Sequence, residues 1–267
     1  MASRNSAVYV YCVVRAARRP PLTRLPGPVP GGTRPELTAV ADDLFLVTSR
    51  VPLDVYGSPH LEARLRNLDW VAEAAVAHER LVEHFARRPG TTIVPMKMFT
   101  MFSSIEKALE DVRGKRREIG DAIRRIRGCE EWGIRITRPA AALSTPRGPR
   151  RRRTVQSPRS GTAFLTARKQ AREAAQATRG ATREAADRAF VKLRRLARAV
   201  RRRDDHHPPG VNPPILEAAF LVPATARGRF KAEAKRQAAS CAALGAAMAL
   251  SGPWPAYNFV NAAEERA

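Results

Sequence analysis

Cysteine is nearly absent from this chain. Cys12, Cys129 and Cys241 lie far apart and none forms a C-x-x-C pair. That excludes a disulfide framework and points to reduced thiols. Aromatic residues make up only 6%, so the places where they cluster carry information. Long apolar runs are missing too. No segment approaches the roughly 20 residues needed to span a bilayer, so no membrane partner is expected. The eight-residue run AVYVYCVV (7–14) reads as a strand rather than a signal-peptide core. No phosphate-cradling G-x-x-x-x-G-K-[ST] loop, G-x-G-x-x-G turn or G-x-S-x-G elbow occurs. The expectation is a protein without catalytic residues, cofactor or metal.

Acidic residues are outnumbered, with 25 Asp and Glu against 48 Lys and Arg, for a net charge of +23. The excess is local: residues 147–203 hold 19 basic and three acidic side chains. Arg150, Arg151, Arg152 and Arg153, with Arg201, Arg202 and Arg203, are the candidate contacts for a polyanion. A solvated, Arg-rich face of drifted composition explains the same pattern. No aromatics are interleaved among these arginines, which stacking on single strands would require. Salt-sensitive, nonspecific nucleic-acid binding is therefore expected in vitro, and a basic nucleic-acid-binding protein is the alternative reading of function.

With 44% hydrophobic residues the chain should be globular. Strands are expected over 7–14, around 44–49 after an Asp42-Asp43 turn, over 91–102, and over 130–138. In the last of these Trp132, Ile134 and Ile136 alternate onto one face. Helices are expected over 58–90, with Ser58-Pro59 as its start and a break near Asn67-Leu68-Asp69 where Asp69 would cap the second piece, and over 103–128, capped by Ser103 or Ser104 and ended by Gly128. This ββαβαβ order gives a first small α+β domain, residues 1–138, with helices packed on a sheet.

Residues 139–160 read as a basic Pro/Ser/Arg-rich linker. Residues 161–267 read as a second α+β domain of order α-β-α-β. It holds a long basic helix over 161–203, a strand over 215–225, a helix over 227–250, and a final strand from Trp254. The fold class is thus α+β, in two small domains.

The stretch HERLVEH (78–84) invites comparison with a metalloprotease H-E-x-x-H, but Val82 occupies the place of the second histidine. A helix-surface His-Glu pair is the expectation. His206-His207 is read as a solvated loop.

Four stretches in order resemble the gas vesicle protein family of the F/L type (GvpL/GvpF). They are VYVYCVV; LDWVAEAAVAHERLVEHF running into TTIVPMKMFTMF; IRGCEEWGIRIT; and SGTAFLTARK, AAFLVP and LSGPWPAYNFV taken together. Lys97 stands where the family shows arginine, and Ala256 where proline is common. The signature residues are Trp132, Gly133, Gly252, Pro253, Trp254, Pro255, Tyr257 and Phe259. The resemblance implies two α+β domains and a non-catalytic accessory part in gas vesicle assembly. The implied partners are the small ribbed-shell protein and other accessory vesicle proteins, and the implied location is cytoplasmic, at the vesicle. Residues 252–259 are expected to anchor the second domain, with Gly252-Pro253 as a turn. Trp254 would share one strand face with Ala256 and Asn258, and Tyr257 and Phe259 would lie on the other.

Overall fold

The computed structural model of the chain describes residues 5–138, 161–203 and 213–260. The linker 139–160, Arg150, Arg151, Arg152, Arg153 and His206-His207 lie outside the described residues. The fold is α+β with two sheets. The chain divides into two compact units, Met1–Glu131 with Pro253–Ala267, and Trp132–Gly252. This differs from the division expected at 138 and 161. The strand read as closing the first domain supplies the second unit from Trp132 onward, and the terminal segment returns to the first.

The first unit is built on β1 (Ser6–Ala16), whose residues 7–14 are all buried. A strand covered on both faces needs this unbroken apolar run rather than alternation. It pairs antiparallel with β3 (Leu44–Pro52), and β3 pairs antiparallel with β2 (Glu36–Ala41) around the Asp42-Asp43 turn. Strand β2, ahead of that turn, was not expected. The expected strand over 91–102 is two pieces, β4 (Thr91–Pro95) and β5 (Met101–Phe102), both antiparallel to β1. Phe99 between them has φ of 61°, which a strand cannot accommodate.

Short α1 (Leu53–Tyr56) and α2 (His60–Arg64) precede α3 (Leu68–Ala86). The break near Asn67 is present, but the cap is Asn67 rather than Asp69: its side chain accepts from the Asp69 and Trp70 amides. Ser58 does not cap α2; its hydroxyl donates to Glu62. The helix expected over 103–128 is α4 (Ile105–Gly114), capped by Ser104, followed by α5 (Arg116–Ile126). Gly128 ends it at φ of 68°.

In the second unit the sheet order is β7-β8-β6-β9, formed by β6 (Cys129–Thr137), β7 (Ala199–Arg202), β8 (Leu216–Pro223) and β9 (Ala247–Trp254). Against it pack α6 (Gly161–Arg194) and α7 (Arg227–Ala242). Trp132, Ile134 and Ile136 of β6 alternate inward as expected. They meet Leu216, Ala218, Phe220 and Val222 of β8, Ala185, Ala186, Ala189 and Leu193 of α6, and Phe230 and Ala234 of α7.

Two expectations fail here. The basic helix stops at Arg194, and residues 199–202 form a strand antiparallel to β8. The ladder offered by β8 overrides the helical propensity of an Ala/Arg-rich segment. The final strand also comes earlier than expected, ending at Trp254 rather than starting there.

Candidate functional site

The signature residues fall at two places. In the second unit, Trp132 is buried 6.2 Å from Phe230, centroid to centroid. Its neighbour Gly133 faces β9 so closely that a Cβ would stand 2.6 Å from the Ser251 hydroxyl. A side chain there would force the Ser251 hydroxyl to turn away. β9 is the edge strand that Pro253 permits, since proline has no N–H to give to a further neighbour. Gly252 turns at φ of 112°.

Beyond that turn the chain behaves differently from its sequence reading. Trp254 is 42% exposed, so it is no core anchor. Pro255 and Ala256 are buried, and Tyr257–Phe259 forms a turn of 3₁₀ helix rather than a strand. The tighter winding breaks the two-face alternation. Ala256 and Phe259 go in, Phe259 completely, while Tyr257 packs against the first unit's core.

Three polar groups of the first unit receive this turn. The Tyr257 hydroxyl donates to Glu79 Oε2 on α3 at 2.7 Å. Glu131 is buried and accepts the Asn258 backbone N–H at 2.9 Å and the Asn258 side-chain amide as well. Arg125 Nη1 on α5 donates to the Phe259 carbonyl at 3.0 Å. Side chain, backbone donor and backbone acceptor of three consecutive residues are thus each matched.

The electrostatics are those of a buried seam. Burial pushes the Glu79 carboxyl up, with the Tyr257 hydrogen bond pulling it down and the Glu83 and Glu131 carboxylates raising it further. Burial, and then the Glu79 charge, push the Tyr257 phenol far above its ordinary value. Both shifts favour the neutral forms.

Behind the seam lies an aromatic cluster. His78 is not on the helix surface as expected: it is 2% exposed, with Nδ1 2.9 Å from the Tyr9 hydroxyl. Burial pushes it down to about 4, against a smaller upward pull from the Met96 backbone. The Tyr9 hydroxyl also accepts the Phe99 N–H. Phe99, at its positive φ, stacks on Trp70 at 5.8 Å. The Asp-Trp and His-Glu pairs of α3 therefore serve this core and the terminal turn. Glu79, Arg125, Glu131 and Asn258 were not singled out as site residues, although Glu131 lies inside the Glu-Trp-Gly stretch.

Of the candidate polyanion contacts that are described, Arg202 donates to Asp187 at 2.9 Å and lies 5.0 Å over the Phe190 ring. Arg203 pairs with Glu217 at 3.7 Å. Arg201 sits in β7 opposite Ala219. Among the described residues no group of three or more His, Cys, Asp or Glu could hold a metal, and no helix is long and apolar enough to cross a membrane.

A family described as gas vesicle synthesis protein GvpL/GvpF matches residues 7–261. Gas vesicle protein L of Streptomyces sp. (strain CB03234) is 32% identical over 244 residues, which is 88% of this chain and 86% of that one. The crystal structure of the gas vesicle protein GvpF from Anabaena sp. PCC7120 is similar at a TM-score of 0.66 and 16% identity, over 96% of both chains. GvpF from Microcystis aeruginosa is similar at 0.62 and 15%, over 96% of this chain and 99% of its own. At those identities the two structures speak for the fold alone.

Proposed function

Because the chain belongs to the gas vesicle GvpL/GvpF family, we propose that it is a non-catalytic accessory or minor structural protein of gas vesicle assembly. In this reading it binds the small ribbed-shell protein and other accessory vesicle proteins during nucleation or growth, in the cytoplasm at the vesicle. The observation that carries the reading is the family match from residue 7 to 261, which takes in both units.

The chemistry of the signature supports a structural rather than a catalytic part. Its acids and its tyrosine hold a chain turn and are tuned toward neutral forms. Leu250, exposed on edge strand β9, offers a surface for an apolar partner. Two of the candidate polyanion contacts, Arg202 and Arg203, are engaged within their own unit, which does not favour a nucleic-acid-binding role.

The test is co-expression of the tagged protein with shell and accessory proteins, alongside deletion of its gene. Capture of a vesicle protein and loss of vesicles on deletion are expected. Vesicles forming normally without the gene, with no vesicle protein captured, would overturn the reading.

A further inference from the structure

Helix α6 repeats itself. Residues 168–175 read RKQAREAA and residues 179–186 read RGATREAA, so R-x-x-[AT]-R-E-A-A recurs after eleven residues. Eleven residues are close to three helical turns, so each residue of one copy lies almost directly above its counterpart in the other.

The two copies have different surroundings. In the second, Thr182, Ala185 and Ala186, followed by Ala189, are buried, and the three alanines belong to the core that includes Phe230 and Ala234 of α7. In the first, the counterparts Ala171, Ala174, Ala175 and Thr178 are all exposed, as is every residue from 165 to 180.

Beside that face runs a line of charge. Arg168, Arg172, Arg179 and Arg183 fall within about 60° of one another around the helix, over an axial length of about 22 Å. All four are exposed, and none has an ion-pair partner among the described residues. The nearby Lys169 is 3.9 Å from Glu173. A helix this polar and this bare is marginal in water without a partner, because i,i+4 pairs supply only tenths of a kcal/mol each.

We propose that the first repeat of α6 is a docking site for an acidic, small-faced helix of a partner protein. The partner's helix would lie against Ala171, Ala174 and Thr178, as this chain's own elements lie against the second repeat, with its carboxylates along the Arg168–Arg172–Arg179–Arg183 line. A second copy of this chain does not fit, since it would bring one basic helix against another. Nucleic acid fits less well: phosphates would answer the arginines but leave the alanine face unused. No aromatic residue lies between Phe164 and Phe190 to stack on bases. The inference stands on α6 alone, whether or not the partner is a vesicle component.

The test uses the purified full-length chain and a fluorescent, alanine-rich helical peptide of about 20 residues, with glutamates at the 4-7-4 spacing of the arginines. Salt-sensitive binding is expected. Reversing all four arginines (R168E, R172E, R179E, R183E) should weaken it at least about tenfold. These side chains are exposed, so the circular dichroism and melting of the variant should match the parent. A174D, which blocks close helix approach, should weaken peptide binding and leave DNA binding unchanged. Equal binding by the four-fold variant, or no binding at low salt, would overturn the proposal. So would duplex DNA displacing the peptide at physiological salt, which would assign the stripe to nucleic acid instead.

Discussion

The two cores solve packing in opposite ways. The first is built from large side chains with polar ends: Tyr9, Tyr11, Tyr56, Trp70 and Phe85 are buried, and the tyrosine hydroxyls reach His78, Ser49 and the Pro30 carbonyl. The second is built from small residues. Ala185, Ala186, Ala189, Ala218, Ala226, Ala234 and Ala246 surround Trp132, Phe220 and Phe230. Aromatics with hydrogen-bonded ends specify one arrangement by direction as well as volume. Alanines specify it by letting backbones approach, which leaves little slack for added atoms. Scarcity of aromatics in the chain as a whole thus conceals a strong segregation.

Emptying either core should have the largest effect. Phe85→Ala in the first and Phe220→Ala in the second should each cost about 3–5 kcal/mol in denaturant unfolding. A loss below about 1 kcal/mol in either would break the comparison.

Next comes acid sensitivity, which only the polar core should show. His78 is neutral in the fold because burial pushes it to about 4. It charges in the unfolded chain below about 6.5. Protons therefore favour unfolding, and the stability present above pH ~6.5 is lost as pH falls to ~4, by roughly 3 kcal/mol. Glu79 is shifted upward and acts in the opposite direction, gaining stability as pH falls through its raised value. Stability measured against pH should fall less steeply in His78→Gln than in the parent.

Overfilling tests the small-residue core. Ala189→Leu should destabilise by about 1–3 kcal/mol, and a neutral result would show slack that the alanines are said to lack. Tyr257→Phe, which removes the donor to Glu79, should cost about 1–2 kcal/mol. The smallest change is expected at Trp254, where 42% exposure predicts less than about 1 kcal/mol for Trp254→Ala. A larger loss would return this residue to the core-anchoring role expected from the sequence.

Both the cores and the terminal seam were only partly legible in the sequence. The runs of β1 and β6 were readable because burial imposes unbroken apolarity on one and strict alternation on the other. The Ser104 helix start was readable because capping is chemistry local to three residues, whereas at α3 the cap was expected at Asp69, two residues past Asn67, because either side chain can cap. Strand β7 was hidden because Ala-Val-Arg-Arg becomes a strand only when β8 lies beside it. Trp254 and Phe259 were misassigned for a related reason. A two-residue alternation was projected through a segment that tightens into 3₁₀ helix, and which aromatic goes inward depends on that change of winding. Glu79 and Glu131 sit inside the His-Glu and Glu-Trp-Gly stretches, but nothing local says what they bind. Their role exists only once a turn some 130 to 180 residues away along the chain has arrived.

That arrival has a schedule. Residues 132–252 form the second unit and are synthesised before the segment that completes the first. At roughly 5–20 residues per second, this interval is on the order of 10 s. Throughout it, the slot for Phe259 stands open and two carboxylates wait without their donors on a nascent chain. The first unit, although begun before the second, is therefore finished after it, and a chain terminated before Tyr257 lacks the segment that completes it.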